Sequence, residues 1–160
     1  MIKKILYATD MSENARYAFS YAASLADKYD AKITLLHILE IIPESVDVQV
    51  RDLVGAEKWK KLQEEKQEVI IERLKSRLSD FCDEMGTELK ECKFLVEDII
   101  VAKGIPVDEI LKKAELIGAD MIIMGTHGYG LVLGALIGST ARRVVRRSKI
   151  PVLVVRQPEK

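Results

Sequence analysis

Cysteine is scarce in this chain, and neither sign of charge is in excess. Cys82 and Cys92 are its two cysteines, and neither belongs to a Cys-x-x-Cys pair or lies near a histidine. No metal or redox motif is therefore predicted, and so few thiols are typical of the reducing cytosol. Twenty-five basic residues balance twenty-five acidic ones. This balance gives no electrostatic reason to expect a nucleic-acid partner.

Long apolar runs are also absent. The first residues, MIKKILYATD, contain a short apolar run that meets Asp10 at once, which predicts neither a signal peptide nor a membrane anchor. The uncharged run from Gly128 to Thr140 is shorter than the roughly 20 apolar residues that a membrane-spanning helix requires. We expect one globular domain over residues 1–160, located in the cytoplasm and not associated with a membrane.

Strand and helix patterns alternate along the chain. Apolar segments predict five strands, at residues 3–9, 32–39, within 88–104, 119–125 and 150–156. Helical spacing predicts four helices, the first capped by Ser12, the second over 56–85, the third opened by Pro106 and the fourth beginning near Ser139. The predicted fold class is α/β, with a doubly wound five-stranded parallel sheet and helices on both faces.

Two segments carry more specific expectations. Residues 40–55 show no clear periodicity, so we predict an exposed excursion there. The helix over 56–85 is predicted to end at Gly86. Its apolar stripe consists of Trp59, Leu62, Val69, Ile70, Leu74, Leu78, Phe81 and Met85.

A glycine-rich stretch, MGTHGYGLVLGALIGSTARR, follows the fourth predicted strand. Its five glycines are Gly125, Gly128, Gly130, Gly134 and Gly138. Glycines after a strand let the backbone turn sharply and leave amide groups free to approach an anion. Ser139 and Thr140 then open a helix, whose first amides and positive dipole end favour phosphate. Their hydroxyls can donate to phosphate oxygens, or one of them can simply cap the helix.

The better-known phosphate motifs fit this stretch poorly. A P-loop requires a lysine, but none occurs between Met124 and Lys149. The third glycine of the dinucleotide fingerprint is also missing at its proper spacing. The carboxyl ends of parallel strands nevertheless meet at one edge of a sheet, where ligands bind. Asp10, Ile38 and Met124 end the first, second and fourth predicted strands, so we expect them at that edge.

The spacing Gly125-x2-Gly128-x9-Gly138-Ser139 resembles the pattern of the universal stress protein family, in its ATP-binding branch. The resemblance extends over most of the chain, through KKILYATDMSENARYA, ITLLHIL, GIPVDEIL, ADMIIMGTHG and IGSTARRVVRRSKIPVLVV. It implies an adenine nucleotide alpha-hydrolase-like fold that binds ATP or another adenine nucleotide. Mg²⁺ would arrive bound to the nucleotide, since the stretch contains no acidic residue to hold it.

Matching positions carry the family's binding residues onto this chain. The resemblance implies nucleotide contacts at Asp10, Ile38, Met124, Gly125, Gly128, Gly138, Ser139 and Thr140. Asp10 and Ile38 would lie beside the adenosine. Met124, Gly125 and Gly128 would line the approach to the ribose and phosphates. Gly138, Ser139 and Thr140 would hold the phosphates. The chain departs from the family at Ala8, where proline is common, and at Tyr129, where a basic residue is frequent. Its spacer over 129–137 is also unusually apolar.

The function that the resemblance implies is that of a nucleotide-dependent switch or sensor in the stress response, acting on a partner that the sequence does not identify. Binding is expected to order residues 126–140 and the excursion. The last strand, Pro151–Val155, is expected to form a homodimer. Slow ATP hydrolysis and a nucleotide-free interaction module remain alternatives. Catalytic residues are not predicted, because neither His37 nor His127 has a nucleophile partner at a suggestive spacing.

Overall fold

In a computed structural model, the described residues form five strands and five helices, with one helix between successive strands except for two between the second and third. The structure describes residues 1–39, 41, 44–85, 95–126 and 137–158. The strands are β1 (Lys4–Thr9), β2 (Lys32–Leu39), β3 (Val96–Lys103), β4 (Met121–Gly125) and β5 (Val152–Val155). The helices are α1 (Glu13–Tyr29), α2 (Glu44–Val54), α3 (Ala56–Met85), α4 (Pro106–Ile117) and α5 (Ser139–Arg147). All five predicted strands and the predicted fold class are confirmed.

The strands form one parallel sheet in the order β3-β2-β1-β4-β5. From β1 the chain winds outward to β2 and β3, and it then crosses back to β4 and β5 on the other side of β1. The order therefore reverses between β1 and β4. In open α/β sheets, ligands bind beyond the carboxyl ends of the strands at such a point.

Helices cover both faces of the sheet, and each face has its own apolar core. Alternate residues of a strand point to opposite faces, so Tyr7 packs with α1 and α3 whereas Leu6 packs with α4 and α5. Ile5, Leu6, Ile33, Leu36, Ile122, Ile123 and Val144 are fully buried. This burial on both faces explains why the central strands are almost continuously apolar.

The excursion predicted over 40–55 contains a helix that the sequence analysis did not predict. Helix α2 has no buried residue, which agrees with the predicted exposure. Its packing partner is the start of α3, where the indole Nε1 of Trp59 donates a hydrogen bond to Asp47 Oδ1 at 3.1 Å. Residues 40, 42 and 43 lie outside the described part of the chain.

The apolar stripe of α3 is buried only in the second half of the helix. Ile70, Leu74 and Phe81 belong to the core, whereas Leu62 and Val69 are exposed. Of the predicted apolar stripe, only the second half therefore belongs to the core. Gly86, predicted to end the helix, lies outside the described residues. None of the described helices is long and apolar enough to cross a membrane.

Candidate functional site

The carboxyl ends of β1 and β4 lie side by side at the point where strand order reverses. Ala8 of β1 is paired with Met124 of β4, so Asp10 and Gly125 follow at neighbouring positions of the same edge. On the other side of β1, Thr9 is paired with His37 of β2. The strand ends that were predicted to form the site are thus brought together by the sheet.

A tight turn connects β1 to α1 at this edge. The Oγ1 of Thr9 accepts a hydrogen bond from the Met11 amide at 3.0 Å, and Asp10 Oδ1 accepts one from the Ser12 amide at 3.0 Å. Ser12 is the predicted cap of α1, and its Oγ accepts from the Ala15 amide at 3.1 Å. Met11 has φ 66°, in the left-handed region that a side chain rarely adopts. The side chains of Thr9 and Asp10 bond backbone amides of this turn, and such bonds help to hold its conformation.

The start of α5 is held against the end of β4. The amide of Gly138 donates to the carbonyl oxygen of Thr126 at 2.7 Å, and Thr126 in turn donates its amide to the carbonyl of Val155 at 3.0 Å. This bond closes the glycine-rich segment at its base. It places the N-terminus of α5 at the same edge as Asp10 and Gly125.

The first turn of α5 carries no side-chain cap. Gly138 is the N-cap residue, it makes no side-chain cap hydrogen bond, and the first turn contains no acidic residue. Ser139 is the first residue of the helix, so the reading in which its hydroxyl only caps the helix is not supported. The first amides of a helix lack intrahelical acceptors, and the dipole makes that end positive. This end of α5 can therefore accept an anion.

Asn14 connects three elements at the same edge, and sequence reasoning missed it. Its Nδ2 lies 3.5 Å from Thr126 Oγ1, and its Oδ1 accepts a hydrogen bond from the Gln157 amide at 3.2 Å. A Cβ added to Gly125 would lie 2.7 Å from Asn14 Nδ2, so a glycine is required for Asn14 to approach β4 this closely. No local pattern signals this role, because the partners are more than 100 residues away in sequence.

The remaining predicted site residues differ in their exposure. Met124 is 7% exposed and packs in the core beneath α4 and α5. Its side chain therefore forms the floor of the site and does not project freely into it. Ile38 is partly buried against the same core. Thr140 is partly buried in the first turn of α5, whereas Ser139 is exposed. Gly128, with His127 and Tyr129, lies outside the described residues.

His37 is a buried core histidine with a hydrogen-bond partner, as its position in an apolar strand predicts. Its ring is buried at 9% exposure, and its Nδ1 lies 2.9 Å from the carbonyl oxygen of Thr9. The four arginines of α5 are exposed, and Arg147 forms a salt bridge with Asp108 at 2.8 Å. Across the residues that the structure describes, no group of three or more His, Cys, Asp or Glu side chains could hold a metal ion.

An open parallel sheet with helices on both faces and a reversal of strand order between β1 and β4 places this chain in the class of doubly wound α/β domains. The model of the universal stress protein family matches residues 1–156. The chain is 35% identical over 161 residues to universal stress protein MJ0577 of Methanocaldococcus jannaschii, covering 98% of this chain and 96% of that protein. The chain belongs to the universal stress protein family.

Solved structures agree with this assignment. A structure of MJ0577 gives a TM-score of 0.72 at 32% identity and covers 100% of this chain and 99% of that one. A universal stress protein in complex with cAMP has a TM-score of 0.60, with 97% of both chains covered, at 21% identity. The universal stress protein from Archaeoglobus fulgidus in complex with dAMP has a TM-score of 0.55 at 21% identity, with coverage of 96% and 98%. At that identity, the last two show a shared fold alone.

Proposed function

We propose that this protein binds an adenine nucleotide, ATP in the first instance, at the carboxyl edge of β1 and β4. The observation that carries the proposal is the start of α5, which has no capping side chain and is bonded to the end of β4 through Gly138 and Thr126. The nucleotide phosphates accept hydrogen bonds from the first amides of α5. The hydroxyls of Ser139 and Thr140 supply further donors.

The adenosine half of the ligand lies toward β1 and β2. Asp10 is partly exposed at the end of β1, where it can accept hydrogen bonds from a ribose, and Ile38 offers an apolar surface at the end of β2. Met124 forms the floor on the β4 side of Asp10. Two proteins of the same fold have been solved with cAMP and with dAMP, which supports an adenine ligand.

The function that follows is that of a cytosolic, nucleotide-dependent switch in a stress response. Asp10 belongs to the turn before α1, and Gly138 belongs to the start of α5, so the proposed ligand lies at the beginnings of two helices that pack on opposite faces of the sheet. A change in nucleotide alters the surface that these helices present to a partner. Mg²⁺ enters with the nucleotide, where it neutralises phosphate charge.

Titration of the purified protein with ATP and with adenosine tests this proposal. Gly138→Asp places a carboxylate where it caps α5 and repels phosphate, whereas Gly138→Asn caps α5 without the charge. We expect Gly138→Asp to weaken ATP binding by about tenfold or more and adenosine binding by much less. Gly138→Asn is the matched control, because it adds the same volume. Equal ATP affinity in wild type and Gly138→Asp would exclude a phosphate site at α5.

A further inference from the structure

A cavity lies on the face of the sheet that α1 and α3 cover, and none of the proposed nucleotide contacts lines it. Its volume is about 240 Å³. Its apolar floor consists of Tyr7, Phe19, Leu35, Leu74 and Phe81, all buried in the core of that face. Met124 and Ile38 pack against the opposite core. The strand β1 therefore separates this cavity from the nucleotide site.

The floor is aromatic and carries no free polar group that the structure describes. The rings of Tyr7 and Phe19 are 5.1 Å apart at 57°, and those of Phe19 and Phe81 are 4.9 Å apart at 78°. The Tyr7 hydroxyl donates a hydrogen bond to the carbonyl of Ala15. An apolar cavity of about 150 Å³ holds benzene. This cavity has room for an aromatic ring with a short side chain.

The mouth of the cavity holds two arginines that differ in their partners. Arg16 forms a salt bridge with Glu84. The hydrogen bond to Glu84 raises the pKa of Arg16, and the charges of Glu84, Glu13 and Asp80 raise it further. The acidic residues around the mouth are thus grouped about Arg16.

Arg77 is the second arginine at the mouth, and it is available to bind an anion. Its Nη1 donates to the neutral carbonyl oxygen of Met11, and it makes no salt bridge with any residue that the structure describes. A guanidinium matches a carboxylate in geometry and can bind it through two parallel hydrogen bonds. A phosphate dianion fits less well, because Glu13 and Asp80 line the same mouth.

We propose that this cavity binds a small aromatic carboxylate, with its ring on the floor of Tyr7, Phe19 and Phe81 and its carboxylate on Arg77. The ligand is a monoanion, and it is distinct from the nucleotide. It also contacts the turn through which Met11 and Ser12 join β1 to α1.

Titration calorimetry with trans-cinnamate as the probe tests this site, and trans-cinnamamide serves as a neutral probe of the same shape. We expect saturable binding of cinnamate to the wild type and at least about tenfold weaker binding of cinnamamide. Arg77→Gln should weaken cinnamate binding by about tenfold or more and leave cinnamamide binding within about twofold. Arg73→Gln, on the same helix outside the cavity, is the matched control and should change neither.

Two further variants keep the test decisive. Leu78→Trp fills the mouth of the cavity and should abolish the binding of both probes, with thermal melting used to verify that the variant is folded. Gly138→Asp, which targets the nucleotide site, should leave cinnamate binding unchanged, so failure of one site does not imply failure of the other. The proposal is overturned if wild type shows no saturable cinnamate binding, or if Arg77→Gln binds cinnamate as wild type does.

Discussion

At the scale of single residues, Gly125 and Asn14 fit closely together at the carboxyl edge. Asn14 contacts Thr126 of the β4 end and Gln157 after β5, so it holds α1 to both strands. Gly125 was predicted in the site from its spacing to Gly128 and Gly138. The need for a glycine there was not predictable, since its reason is a side chain from another element.

Replacing Gly125 tests this fit. Gly125→Ala places a Cβ against Asn14 Nδ2 and should displace the amide from its partners, which would lower the free energy of unfolding by about 1–2 kcal/mol. In an Asn14→Ala background the same change should be neutral or slightly stabilising, because the obstacle is gone and alanine restricts the unfolded chain. Urea unfolding of the four proteins in this double-mutant cycle measures the coupling. Additive effects would contradict the contact.

Tyr7 gives a prediction about pH. Burial is the main cause that raises the pKa of Tyr7 above its ordinary value of 10.0. Between the unfolded and the folded pKa, the unfolded chain loses the phenol proton while the folded chain keeps it. The free energy of unfolding should therefore fall as pH rises above about 10, by up to about 1.4 kcal/mol per pH unit from this group.

Tyr7→Phe isolates that contribution. The variant loses the hydrogen bond to Ala15 and should be less stable at pH 7 by about 1 kcal/mol. Its free energy of unfolding should nevertheless decline less steeply than that of wild type above pH 10. Urea unfolding at several pH values from 8 to 11 compares the two slopes. Parallel declines would show that Tyr7 ionises equally in the folded and unfolded chains.

At the scale of elements, α1 and α5 begin in opposite ways. Ser12 caps α1 through the Ala15 amide, whereas Gly138 leaves the start of α5 without a side-chain cap. Both helices begin at the same edge of the sheet. The start of α1 is capped by the side chain of Ser12, whereas the first amides of α5 are available for the proposed ligand.

The contrast predicts different responses to capping variants. Ser12→Ala should lower the free energy of unfolding by about 1 kcal/mol, because α1 loses its cap. Gly138→Asn supplies a cap to α5 and should raise stability by a few tenths of a kcal/mol in the absence of nucleotide. Chemical denaturation without added ligand measures both. A stabilising Ser12→Ala would contradict the cap.

The elements also show how far sequence patterns reach. Buried strands and capped helices were predictable, because their apolar spacing and cap residues are local signals. Helix α2 was not predictable, since residues 40–55 show no clear apolar periodicity at helical spacing. Its contact with α3 through Trp59 and Asp47 is a tertiary interaction that the local pattern does not contain. The exposure of Leu62 and Val69 has the same origin, because periodicity reveals a face but not whether another element covers it.

At the scale of the whole molecule, β5 is an edge strand of the described sheet. The carbonyls of Pro151 and Val155 accept hydrogen bonds from Ile122 and Thr126 on the β4 side. In a parallel strand the backbone groups of alternate residues point to opposite sides, so those of Val152 and Val154 point away from β4. We propose that a second copy of the chain pairs with these groups in a homodimer.

A proline scan of β5 tests this dimer. Val154→Pro removes an outward amide and should shift the protein from dimer to monomer in sedimentation analysis, while its melting temperature in dilute solution changes little. Leu153→Pro is the matched control, because it removes an inward amide and should destabilise the sheet itself. A wild type that sediments as a monomer at micromolar concentration would contradict the proposed dimer.

The proposed nucleotide site is assembled from distant parts of the chain. Its residues were predictable to the extent that a parallel sheet brings strand ends to one edge, and β1 and β4 do meet there. Met124 was predictable as a position but not as a buried floor, because burial depends on α4 and α5. Gly128 lies outside the described residues, and its predicted contact stays a prediction.

The most direct test is a titration of isotope-labelled protein with ATP, followed by the NMR shifts of the backbone amides. We predict saturable shifts that are largest at Asp10, Gly125, Ser139 and Thr140. Those of Ser139 and Thr140 should be much smaller when adenosine replaces ATP. An absence of shifts at these four amides, or shifts confined to another face of the sheet, would contradict a nucleotide site at this edge.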